Sequence, residues 1–295
     1  MKSRFWIFFI ILLLIAFILY NSWTIPKAFE IGYAYKPSEV VGPIIYVPIA
    51  VYLLAIIITG YLTIVSHRAL RIIPKKKELS LLALNRFYAS MFISSLILEV
   101  GVIDLWLKDT SDASISVGGI IIYTYALSLA LGYFVAGFMA LWLFVFADNE
   151  YHGRLSLKRL VPYLVLLMIY LLISFDYRNW YGVVGFKEVG EMSIREITST
   201  LLLILLLISV VWAIIPLRRK IIVEKDKIKR MRLKLILTGF SIFLGFFVFM
   251  ILDATTGLPY TLWMIPAYIC ALLGICFVWL GFLPPRWLLI KLEKK

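Results

Sequence analysis

Glu99 is the ionisable residue that falls clearly inside an apolar stretch of this sequence, and a carboxyl group there can do the chemistry of a proton or cation site. A charge at the middle of a membrane helix costs about 2.5 to 3.5 kcal/mol unless it is paired or hydrated, so such residues point to function by default. Ser95 at i−4 and Ser94 at i−5 would extend the carboxyl into a polar stripe on one helix face. The structural alternative is a glutamate that joins two helices by hydrogen bonds, with Tyr123 or Tyr125 as partner. Either role requires Glu99 to be buried.

Three further carboxylates form a pattern. Asp104, Asp176 and Asp253 each stand at the end of an apolar run that leaves a basic segment, and so at the same membrane boundary. A carboxylate at a helix C-terminus meets the negative end of the macrodipole, which calls for a compensating cation. Lys108, Arg178 and Arg195 are available, as would be a bound metal ion or cationic ligand. With Asp109 and Asp112 nearby, convergence would make an acidic outer vestibule; without it, each is a solvated boundary acid. On the opposite side, Arg218, Arg219, Arg230 and Arg286 are placed to contact lipid headgroups or a partner protein.

Other chemistries lack their residues. Cys270 and Cys276 share one apolar run and give neither a disulfide framework nor a Cys-x-x-Cys pair. His67 and His152 fall in basic loops outside the apolar runs, which removes a haem held between facing helices and a His-Glu-x-x-His zinc site. No cofactor or metal is expected, and an enzyme is disfavoured.

The elements that position these residues follow from hydropathy. Of 295 residues, 63% are hydrophobic and 16% charged, with a mean hydropathy of +0.97; soluble domains carry about 25% charged residues. Apolar runs long enough to cross ~30 Å of hydrocarbon alternate with short charged segments. Eight spans are expected: Phe5 to Tyr20, Pro43 to Val65, Leu81 to Leu107, Val117 to Ala147, Leu160 to Phe175, Ile197 to Leu217, Leu233 to Leu252 and Tyr260 to Leu283. The first lacks a small-x-small cleavage site and reads as a retained anchor. Pro48, Pro162 and Pro266 fall within spans, and Pro266 is placed to kink the last one beside Asp253. Gly132, Ala136 and Ala140 give the fourth span a small-xxx-small face.

Charge sets the orientation. Of the 30 Lys and Arg residues, only Lys27, Lys36, Lys108, Arg178, Lys187 and Arg195 fall on one side, against 24 on the other. The positive-inside rule then places both termini and the Arg218 to Lys234 segment in the cytoplasm of a multi-pass cell-membrane protein. The net charge of +13 faces anionic headgroups and requires no nucleic acid. The absence of glutamine suggests a heat-loving, archaeal source.

The segment Leu280-Gly281-Phe282-Leu283-Pro284-Pro285-Arg286-Trp287-Leu288 resembles the exit from the last helix of multi-pass, seven-helix N-terminal sensing modules of prokaryotic sensor histidine kinases. The likeness covers under ten residues, joined by the architecture of a seven-helix block with its C-terminus inside. The sequence departs from that pattern by a leading helix and by having no kinase after Lys295. The resemblance implies a sensory module that works through a separate partner.

These readings converge on an all-α polytopic membrane bundle of eight spans. It is organised as a leading anchor (residues 1–24), a seven-helix block (43–284) and a basic cytoplasmic tail (285–295). The expected function is sensory or signalling, without an effector domain, through a cytoplasmic or membrane protein partner. A small-solute or cation transporter and a structural subunit of a membrane complex are the alternatives.

Overall fold

A computed structural model describes residues 46–72, 78–108, 114–117, 120–153, 155–174, 194–255 and 262–284, besides Ile15 and Leu19. The elements run α1 (Tyr46–Leu70), α2 (Glu78–Lys108), β1 (Ser114–Val117), β2 (Ile120–Tyr123), α3 (Thr124–Tyr151), α4 (Leu157–Ser174), α5 (Ile194–Val223), α6 (Lys227–Thr255) and α7 (Met264–Phe282). Among the described residues seven helices are long and apolar enough to cross a membrane. In hydrocarbon a helix satisfies its own backbone hydrogen bonds, which is why these runs fold as continuous helices. The chain is therefore a polytopic helical membrane protein. The count here is seven rather than eight, because the expected span Phe5 to Tyr20 lies outside the described residues apart from Ile15 and Leu19.

Helix ends depart from hydropathy in an instructive way. The basic stretch expected as a loop between the sixth and seventh spans is mostly helical: α5 continues to Val223 and α6 begins at Lys227. Arg218 and Arg219 therefore sit on α5, and Arg230 sits on α6. Hydropathy marks where the membrane ends, whereas Lys and Arg are good helix formers and let the helix run on. The expected span from Val117 also changes: Val117 is in a strand, and β1 pairs antiparallel with β2 from Ser114↔Tyr123 to Val117↔Ile120. The Ile120-Ile121-Ile122 run favours a strand, and α3 starts only at Thr124.

The prolines are likewise redistributed. Pro266 is the third residue of α7, where the missing N–H would have had no helical partner in any case, so it starts the helix rather than kinking it. Pro162 lies inside α4, as expected, and Pro216 lies inside α5.

Each helix packs on its successor to make a ring. α1 lies on α2, α2 on α3, α3 on α5, α5 on α6, α6 on α7, and α7 returns to α1, while α4 packs outside against α3 and α5. On α1 the buried residues Ala55, Thr59, Leu62 and Ser66 form one face, and the exposed Leu53, Ile57, Tyr61 and Ile64 form the lipid-facing one. Small residues set the closest crossings. A Cβ on Gly239 of α6 would lie 2.6 Å from the Gly274 carbonyl oxygen of α7, so only glycine admits that backbone approach. On α3, Ala136 and Ala140 are buried, and a Cβ on Gly132 would meet Leu98 at 2.7 Å. At the centre Phe87, Tyr88, Phe240 and Phe243 leave a void of about 10 Å³. That is no more than the room one water needs.

Candidate functional site

A hydrogen-bonded network of buried polar groups lies at the basic end of the bundle, and the arrangement begins with a proline. Pro216 has no N–H, so the Trp212 carbonyl one turn earlier loses its intrahelical donor. His152, just after α3, has Nε2 3.2 Å from that oxygen, which requires the proton on Nε2. Its ring stacks on the Trp212 indole with centroids 4.5 Å apart. The indole Nε1 in turn donates to Asp148 Oδ1 at 3.1 Å.

Asp148 is fully buried. It accepts from Arg159 Nε at 2.6 Å and Nη2 at 3.3 Å, and from the Ser156 backbone N–H at 2.9 Å. A buried carboxylate is tolerated only when its lone pairs are filled in this way. The Ser156 contact also places it at the start of α4, where the helix dipole favours a negative group. One side chain thus fastens α3, α4 and α5 together. Two amides continue the layer: Asn149 Nδ2 donates to Ser80 Oγ at 2.8 Å, and Asn85 Nδ2 donates to Ser66 Oγ and to the Thr63 carbonyl, each at 2.8 Å.

Beside this network lies a cavity of about 460 Å³ lined by Lys220, Lys229, Arg232, Glu150 and Glu224 together with apolar side chains. Arg232 is held by the last carbonyls of α7, donating from Nε to Gly281 O at 3.0 Å and from Nη2 to Phe282 O at 2.8 Å. Lys220 donates to the Glu150 carbonyl at 2.8 Å and stands 5.5 Å from the centre of the Tyr151 ring.

Glu99, Ser94 and Ser95 are all buried on α2. Ser94 donates to the Gly132 carbonyl at 2.9 Å, whereas Glu99 Oε2 has no hydrogen-bond partner among the described residues. The side chains of Tyr123 and Tyr125, the expected partners, lie outside the described residues. So do the side chain of Asp104 and the whole of Asp176 and Arg286, which leaves the acidic vestibule without a test. Asp253 is buried near the far end of α6. Arg218, Arg219 and Arg230 are exposed. Arg230 also bonds within the chain, its Nε donating to the Glu224 carbonyl at 2.8 Å.

Sequence reasoning passed over Asp148, Trp212, Pro216 and Arg232. Asp148 stands next to a span end, where an acid is no anomaly. Pro216 inside an apolar run was the available signal, because a proline there frees a carbonyl that some donor must satisfy. His152 lies in the α3–α4 loop, as expected, with its ring folded onto Trp212 of α5. His67 is helical, at the last turn of α1. No protein-family model matches the sequence, and no curated protein matches it.

Proposed function

We propose that the chain is a sensory or signalling module of the membrane that presents its basic end to a separate partner protein. The observation that carries this reading is where the polar structure lies. The buried network and the large cavity are both at the basic end, while the centre of the ring is closed by aromatic side chains. A transporter would favour a polar site near the midplane between interrupted helices. The intramembrane hydroxyls of Thr59 and Ser174 instead bond to carbonyls of their own helices, and that of Ser209 to the Leu205 and Ala140 carbonyls. The exposed Arg218 and Arg219 suit contact with an acidic partner surface or with anionic headgroups. The helix exit resembling histidine-kinase sensing modules supports the same reading.

The proposal includes eight spans, with both termini and the α5–α6 turn in the cytoplasm, as the charge asymmetry favours. A cell membrane of a heat-loving archaeon is the proposed setting, on the absence of glutamine.

Partner recovery from gentle detergent, with cross-linking before lysis, tests it. A specific chain should co-purify with the unaltered protein and be lost when Arg218 and Arg219 are both replaced by Glu. The ion-transporter reading is favoured by the Oε2 of Glu99, which has no hydrogen-bond partner among the described residues. A proton or cation flux in proteoliposomes that Glu99→Gln abolishes would replace the sensory reading.

A further inference from the structure

The cavity between the ends of α3, α5, α6 and α7 has a mixed lining, with the cations Lys220, Lys229 and Arg232 interleaved with the apolar Val223, Leu233, Ile236 and Phe282. We propose that it binds one phospholipid, with the headgroup phosphodiester among the three cations and the first carbons of the lipid against the apolar side chains between them.

The cations are prepared to different degrees. Arg232 is fixed by its two bonds to the α7 carbonyls, which leave its Nη1 amino group without a partner among the described residues. A guanidinium anchored in this way loses little freedom on meeting a phosphate. Lys220 is held over Tyr151 by its bond to the Glu150 carbonyl. Lys229 is 66% exposed and loosely paired, its ammonium 3.7 Å from the Asp226 carboxylate.

Glu150 and Glu224 also line the space, so its five charged groups carry a net charge of only +1, three cations less two carboxylates. That balance disfavours a bare phosphate ion. It suits a phosphodiester whose headgroup continues into hydrogen-bond donors, such as the hydroxyls of glycerol, which a carboxylate can accept. The volume holds a headgroup and not its chains, so these must leave along the outer surface. Ile222 and Val223, 79% and 77% exposed at the end of α5, offer apolar contact beside the basic cluster. Exposed aliphatic residues among cations are the pattern of a segment seated at the headgroup layer.

This rests on the reading that the basic end lies at the headgroup layer, but binding in detergent does not depend on which side of the membrane that end faces. The full-length chain, purified in detergent, is titrated with phosphatidylglycerol, phosphatidylcholine or inorganic phosphate and examined by native mass spectrometry. Phosphatidylglycerol should bind one to one and about tenfold more tightly than phosphatidylcholine. Lys220→Met with Lys229→Met should remove that preference. Arg218→Met with Arg219→Met, outside the cavity, should leave it intact. Should the double lysine variant fail to fold, Lys229→Met alone, at an exposed side chain, should weaken binding measurably. Equal binding of the two lipids, equal loss in the arginine control, or inorganic phosphate binding as tightly as phosphatidylglycerol would each overturn the proposal, the last in favour of a free-anion site. Cysteine labelling at position 225 in intact cells tests the orientation separately.

Discussion

Glu99 and Asp148 are both buried carboxylates, yet their surroundings predict opposite responses to removal. Asp148 has donors from Arg159, Ser156 and Trp212, all of which would be orphaned by Asp148→Leu. Breaking a buried charged pair from one side costs about 3 kcal/mol or more, with Arg159, 33% exposed, recovering part through solvent. Glu99 Oε2 has no bond to lose among the described residues. An unsatisfied buried oxygen costs about 1 to 3 kcal/mol, so Glu99→Leu should hold or raise stability. Thermal unfolding of both variants in one detergent should therefore show a large downward shift for Asp148→Leu and none, or an upward one, for Glu99→Leu. A loss of stability at Glu99→Leu would mean that the carboxyl is held by a partner in the native membrane. The contrast also marks what a sequence can reveal about single residues. A charge within an apolar run is visible as an anomaly, whereas Asp148 is hidden by its position at a run's edge. Its importance comes from Arg159 and Trp212, 11 and 64 positions away.

At the scale of elements, the α5–α6 turn is only Glu224 to Asp226, and Asp226 starts the next helix. Its Oδ1 accepts the N–H of Ile228 at 2.9 Å and of Lys229 at 3.2 Å, the two bonds of an N-cap. Those bonds, led by the Lys229 backbone N–H and assisted by the Lys229 ammonium, hold the Asp226 carboxyl below its ordinary range. A depressed folded value means that the stabilisation is present above the ordinary carboxylate pKa and fades as pH falls through the folded one. Asp226→Asn keeps the cap without titrating. The stability difference between the unaltered protein and the Asp226→Asn variant should thus favour aspartate at neutral pH and shrink under acid conditions, as read from thermal midpoints across a pH series.

The break in α5 offers a second test. His152→Ala should destabilise the protein by leaving the Trp212 carbonyl unpaired, an effect of about 1 kcal/mol or more. In a Pro216→Ala background a backbone N–H becomes available to that carbonyl, so the same histidine change should cost less. A double-mutant cycle showing strict additivity would reject the link. Helix existence was legible throughout the described residues because apolar runs of membrane length are a strong signal. Helix ends were not, since Lys and Arg extend α5 and α6 beyond the hydrocarbon, and the Val117 strand was absorbed into a run that stays apolar through its change of conformation.

For the whole molecule, orientation is the property that charge predicts and that no internal contact can report. Single cysteines at Ser3, Lys225 and Glu293 should resist a membrane-impermeant thiol reagent applied to intact cells and react after permeabilisation; outside labelling at any one rejects the eight-span arrangement with both ends inside. The order of helices around the ring was not legible. It depends on which small residues meet, such as Gly239 with Gly274, and the sequence marks both without pairing them. The ring has one further consequence, which concerns time. α7 is the last of the seven helices to be synthesised, yet it packs against α1, the first. Until α7 arrives, α1 and α6 are the two open edges of an arc, and Tyr52, Tyr61 and Phe243 lack the α7 residues they pack on, Tyr268, Trp279 and Gly274. The nascent protein must therefore be kept from foreign helices for most of its translation, and its basic cavity, walled partly by Gly281 and Phe282, comes into being only with the final helix.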